Sequence, residues 1–152
     1  MYKRQIQEFK SPGQPLGRVR NIQFSNIICT TRGRILITAQ DGAVVENVTL
    51  RDIQLDIPVI EDTAEAVPKA RSMQLSNFSP EARVARAAAV FDNVRDLRVQ
   101  GLTLRWPDSA SVPMSALWFR NVRAVIDAPF LTPSQPGLET AVSRNSEVSF
   151  RG

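Results

Sequence analysis

The apolar residues of this chain recur in short bursts of alternation broken by single polar residues. In Val45–Ile57 (VENVTLRDIQLDI) the apolar positions are Val45, Val48, Leu50, Ile53, Leu55 and Ile57. From Val48 to Leu50 and from Ile53 to Ile57 they alternate with period two, as in a strand with one buried face. Asn47 and Asp52 interrupt the alternation. Short polar side chains tolerate the left-handed backbone conformation that turns a chain sharply. The stretch therefore predicts short strands joined by one-residue bends.

The pattern is written three more times, as VRNIQFSNI from Val19, FDNVRDLRV from Phe91 and FRNVRAVI from Phe119. Each Asn has Val or Phe two residues before it and Ile or Val directly after it. Setting the Asn residues in one column aligns Asn21, Asn47, Asn93 and Asn121, at spacings of 26, 46 and 28 residues. Recurrence at roughly 20–50 residues marks a stacked repeat. The unit has strand periodicity and no helical period, so the predicted fold is all-β, a parallel β-helix of about four to five coils. The four Asn residues are the predicted structural bends, their amides linking one coil to the next.

Along the chain, residues 1–17 have no sustained period and read as an N-terminal arm or linker, with a turn at Ser11–Gly17. Residues 18–128 carry the coils. An acidic loop excursion at 58–70 holds Glu61, Asp62 and Glu65, and Arg71–Phe78 alternates again. Residues 129–152 contain Pro, Ser and Gly and read as a capping tail, with Leu131, Leu138 and Phe150 available to cover the last coil.

Composition narrows the chemistry. The 152 residues suit one domain. No His is present, which removes the commonest general base and metal ligand. Cys29 is the only cysteine, so no internal disulfide forms, and its apolar neighbours suit a small buried side chain better than a reactive thiol. No metal site and no cofactor are expected. The net charge is +4, and sixteen of the 19 cationic residues are Arg. Arginine suits carboxylate recognition, so an acidic polysaccharide is an admissible partner. Most of these arginines alternate with apolar residues, which places them on the wet face of strands. No aromatic–basic pattern of a nucleic-acid module appears. No segment has the length and apolarity of a membrane span, and the first ten residues are too polar for a signal peptide. Export, if any, would belong to a longer parent protein.

Three side chains are candidates for contact with sugar: Trp106, Trp118 and Arg120. Trp118 lies between Leu117 and Phe119 and faces away from both, so it can point outward as a stacking platform. The competing role for both tryptophans is in the core or a terminal cap.

The runs GRVRNIQFSNI and RILITAQDGAVVENVTLRDIQL resemble the C-terminal coils of the polygalacturonase-type glycoside hydrolases (glycoside hydrolase family 28), over about Gly17–Ile126. The resemblance implies a right-handed parallel β-helix and an origin in an enzyme that cuts galacturonan or a related acidic polymer. Such enzymes invert, with one carboxylic acid protonating the leaving oxygen while carboxylates activate water. The family's signature elements are Asn-Thr-Asp, Asp-Asp, Gly-His-Gly and Arg-Ile-Lys. None occurs here, so no catalytic residue carries over. The expectation is a pectin-degrading hydrolase's C-terminal β-helical portion, inactive alone. The alternative is a non-catalytic β-helical module that holds acidic polysaccharide through Arg and Trp. A solenoid cut at its first coil also exposes an apolar end, which predicts a homodimer through the N-terminal coil near Val19–Phe24.

Overall fold

A computed structural model describes residues 18–31, 33–58, 79–106, 114–132 and 139–152. The arm at 1–17, most of the excursion at 58–70, the alternating Arg71–Phe78 and part of the tail lie outside the described residues. Among those described, the chain is all-β apart from one short helix. The elements are β1 (Val19–Thr30), β2 (Ile35–Thr38), β3 (Val45–Asp56), α1 (Pro80–Val84), β4 (Ala87–Asp92), β5 (Val94–Arg105), β6 (Ser115–Arg120), β7 (Arg123–Asp127), β8 (Phe130–Thr132), β9 (Ala141–Arg144) and β10 (Glu147–Arg151).

The strands form two sheets, and every pairing is parallel. One sheet runs β1-β3-β5-β7-β10, with β8 also on β5; the other runs β2-β4-β6-β9. Chain order and sheet order coincide, and from β1 to β7 the chain changes sheet at every strand, including the step through α1 from β3 to β4. This arrangement is compatible with a solenoid. The tail at 129–152 does more than cap: β9 pairs with β6 and β10 with β7, so it extends both sheets.

The register corrects the single Asn column drawn from sequence. Asn47 lies opposite Asn21 in β1, but its counterpart in β5 is Asp96, because Glu46 pairs with Arg95 and Val48 with Leu97. Asn21, Asn47 and Asp96 share positive φ values of 61°, 51° and 58°. A second bend five residues on joins Asn26, Asp52 and Gly101, at 56°, 53° and 64°. A Cβ at Gly101 would lie 2.8 Å from Asp52 Oδ1. Asn93 and Asn121 belong to a third column with Asn145, at the corner between the sheets, with φ of 56°, 53° and 46°.

One unit therefore recurs in the three long strands: apolar, any, Asn/Asp, apolar, any, apolar, any, Asn/Asp/Gly, apolar, any, apolar. It covers Val19–Cys29, Val45–Leu55 and Val94–Leu104. Inward residues are two apart within each straight piece and three apart across each bend, because the bend consumes one residue without a change of face. β7 lacks the bend, and Val122 just before it alternates strictly with its inward Ala124 and Ile126.

The core fills the space between the sheets. Val48, Leu50, Ile53 and Leu55 of β3 meet Leu97, Val99, Leu102 and Leu104 of β5, all buried. Phe91 and Phe119, neighbours in register, stack with ring centroids 5.5 Å apart. Each such side chain contributes about 1.5–3 kcal/mol when fully buried. Cys29 is half-buried against this core.

Candidate functional site

The outer face of the β2-β4-β6-β9 sheet carries two rows in register. Leu36, Val90, Trp118 and Val142 form an apolar row; two residues further along each strand, Thr38, Asp92, Arg120 and Arg144 form a polar one. Helix α1 lies over this face. Its Ala82, with Ala85 just after it, packs with Ala87, Val90 and Trp118 in a second apolar cluster, separate from the main core. Ser79 caps the helix: its Oγ accepts from Ala82 N at 3.0 Å and donates to Asp92 Oδ2 at 2.6 Å. Arg34, from the start of β2, donates to the Ala85 carbonyl just past the helix, and burial lowers its pKa to about 10.

Arg120 sits at the centre of the polar row. Its Nε donates to Asp92 Oδ1 at 2.6 Å and its Nη2 to Asp92 Oδ2 at 3.0 Å, a two-point pair. Nη2 also donates to Asp41 Oδ1 at 2.7 Å, and Nη1 lies 3.9 Å from Glu81 Oε2. Asp92 is completely buried. The hydrogen bond to Asp92 raises the Arg120 pKa, and hydrogen bonds from Arg120 and then Asn93 hold the Asp41 carboxyl below its ordinary value. One guanidinium thus ties together the β2–β3 turn, α1 and β4.

This geometry is poor for acid–base chemistry. A glycosidase acid must be protonated at working pH, which needs a raised pKa. Asp41 is shifted the opposite way. Both oxygens of Asp92 already accept hydrogen bonds and face no solvent. No group of three or more His, Cys, Asp or Glu among the described residues is placed to hold a metal. No helix among them is long and apolar enough to cross a membrane.

The tryptophans named from sequence are not open platforms. Trp118 does point outward, yet it is only 5% exposed because α1 covers it. Trp106 is 6% exposed in the main core, and its Nε1 has no hydrogen-bond partner among the described residues. Arg120 is committed to carboxylates. Sequence reasoning missed Ser79, Asp41, Glu81 and Asp92. One signal was present: Asp92 and Arg120 each directly precede an Asn of the corner column, so they share a register position.

The corner column is itself hydrogen-bonded. Asn145 Nδ2 donates to Asn121 Oδ1 at 2.6 Å, Asn121 Nδ2 to Asn93 Oδ1 at 2.8 Å, and Asn93 Nδ2 to the Ala39 carbonyl at 2.8 Å. In the first bend column, Asn47 Nδ2 donates to Asn21 Oδ1 at 2.8 Å. An open groove of about 510 Å³ follows the corner, lined by Asn93, Asn121, Asn145, Arg95, Arg123 and Glu147 among others. Arg95 pairs with Glu46 at 3.3 Å and Arg123 with Asp96 at 2.5 Å, both exposed to solvent. A smaller groove of about 330 Å³ lies between α1 and β9, with Glu81, Arg86, Trp118 and Arg144 on its walls. No protein-family model, no curated protein and no solved structure matches this chain.

Proposed function

We propose that the chain is the C-terminal β-helical part of a polygalacturonase-like, pectin-degrading glycoside hydrolase, and that it serves as scaffold without catalytic groups of its own. The observation that carries this reading is the coincidence of chain order and sheet order in two all-parallel sheets, with left-handed Asn, Asp and Gly in register at the bends. Such a chain winds as a right-handed parallel β-helix, the hand that parallel crossovers strongly favour. The likeness of VRNIQFSNI and VENVTLRDIQL to that family's C-terminal coils supplies the enzyme class. The arginine-held Asp41 and Asp92 support the absence of catalysis. Purified chain incubated with polygalacturonate from acidic to neutral pH is expected to release no reducing ends above a blank. Turnover abolished by Asp41→Asn or Glu81→Gln would overturn the reading.

The corner groove favours a second reading, a module that holds acidic polysaccharide without cutting it. With both tryptophans covered, Arg95 and Arg123 beside the Asn column are the groups that would meet uronate carboxylates. Salt-sensitive retention on immobilised polygalacturonate, lost in an Arg95→Ala/Arg123→Ala variant, is its test.

A further inference from the structure

Strand β1 carries four of the seven large apolar side chains that stand exposed among the described residues: Val19 at 50%, Phe24 at 44%, Ile27 at 37% and Ile28 at 77%. Val19, Phe24 and Ile27 are in register with Val45, Leu50 and Ile53 of β3, all buried. They therefore face the side of the sheet that is core everywhere else. Among the described residues β1 pairs on one side only, with β3. Its other edge offers unpaired backbone groups over a twelve-residue strand, a template for strand addition.

The edge is not a generic one, because it turns at Asn21 and at Asn26. A strand laid along it keeps contact only by turning at the same two places. β3 does this on the inner side with Asn47 and Asp52, and β5 does it against β3 with Asp96 and Gly101.

We infer that this edge receives one parallel strand of an adjoining β-helical coil from outside this chain, and that this strand carries the same eleven-residue unit, with Asn, Asp or Gly at two positions five apart. The inference rests on the scaffold reading above and names that scaffold's partner surface. No other stretch of this chain has the pattern: residues 1–17, 59–78, 107–113 and 133–138 contain no Asn, Asp or Gly pair five apart with this apolar spacing.

A second copy of the chain fits poorly. Two parallel strands related by a two-fold axis turn opposite faces to the same side, so the apolar rows would lie on opposite faces of the joined sheet. An antiparallel two-fold pair keeps the faces together. Yet the register that sets Asn21 opposite Asn26 then sets the inward Ile22 opposite the outward Ser25, and Phe24 opposite Gln23. Head-to-tail stacking offers β10, with five residues and neither bend.

The test uses the full chain and a synthetic peptide with the sequence of Val45–Asp56, the strand already known to lie parallel along β1. Saturable binding is expected by fluorescence anisotropy. Replacing the two bend residues of the peptide with Val should weaken binding by about tenfold, because β-branched residues resist the left-handed conformation. A paramagnetic tag on the peptide's N-terminus should broaden the amide signals of Arg18–Arg20 and spare those of Ile28–Thr30. Three outcomes would overturn the inference: no binding by the monomeric chain, equal binding of a reversed-sequence peptide, or a concentration-dependent dimer that protects the β1 amides. None of these would touch the scaffold reading, which stands or falls on the reducing-end assay.

Discussion

At the scale of single residues, the bends do two separable jobs. Each Asn adopts a conformation that costs most residues about 1–2 kcal/mol, and some of the Asn amides also satisfy groups buried at the corner. Asn93 does both, at 8% exposure, with the Ala39 carbonyl on one side and Asn121 on the other. Asn47 is exposed, and its partner Asn21 can turn to water instead. Asn93→Val is therefore expected to destabilise by about 2–4 kcal/mol, adding the loss of buried hydrogen bonds to the strain. Asn47→Val should cost only about 1–2 kcal/mol, the strain alone. Urea denaturation of the two variants checks this, and equal losses would mean that the corner hydrogen bonds contribute nothing. The four Asn residues were visible in the sequence, but their division into two columns was not. Asn93 and Asp96 both stand in FDNVRDLRV, and only pairing with β3 shows which of them matches Asn47.

At the scale of elements, α1 is held by a small apolar cluster and by one arginine. Arg120→Met should cost about 3–5 kcal/mol, because it strands the buried Asp92 carboxylate without a counter-charge. Arg120→Met combined with Asp92→Leu should recover most of that loss, since apolar replacement of a whole buried pair is often neutral. Thermal melts of the single and double variants distinguish this from simple loss of packing. The same cluster sets an acid limit. The Asp41 carboxyl titrates lower in the folded chain than in the unfolded one, through its hydrogen bond from Arg120. Its contribution is thus complete above the unfolded carboxylate value of about 3.9 and is lost as pH falls through the lower folded value. Asp41→Asn is expected to lower stability at neutral pH and to remove that part of the acid dependence, which urea denaturation of both chains across the acid range checks. Of the cluster only Arg120 stood out along the chain, and then as a sugar contact, since its partner Asp41 is 79 residues away.

At the scale of the whole molecule, stability should be graded along the stack. In repeat architectures each unit contacts chiefly its neighbours, so inner units gain two interfaces and end units one. β4 and β5 lie between neighbours on both sides, β4 buried throughout and β5 along its inward face, whereas β1 and β10 are edges with exposed apolar residues. Native-state hydrogen exchange is expected to be slowest for the amides of Val94–Leu104 and fastest, among the strands, for β1 and β10. Uniform protection from β1 to β10 would instead point to a single all-or-none unit.

Period-two runs with polar interruptions were enough to place strands, bends and the all-β class, because backbone alternation is a local property that each segment expresses by itself. The inward faces of β3 and β5 could be read residue by residue for the same reason. Two things depended on pairing between segments far apart in the chain. One was the fate of Trp118: alternation turns it outward, and only the docking of α1 over the sheet buries it. The other was Arg120, whose chemistry was set by carboxylates from three separate segments that the stacking of strands brings within reach of one guanidinium.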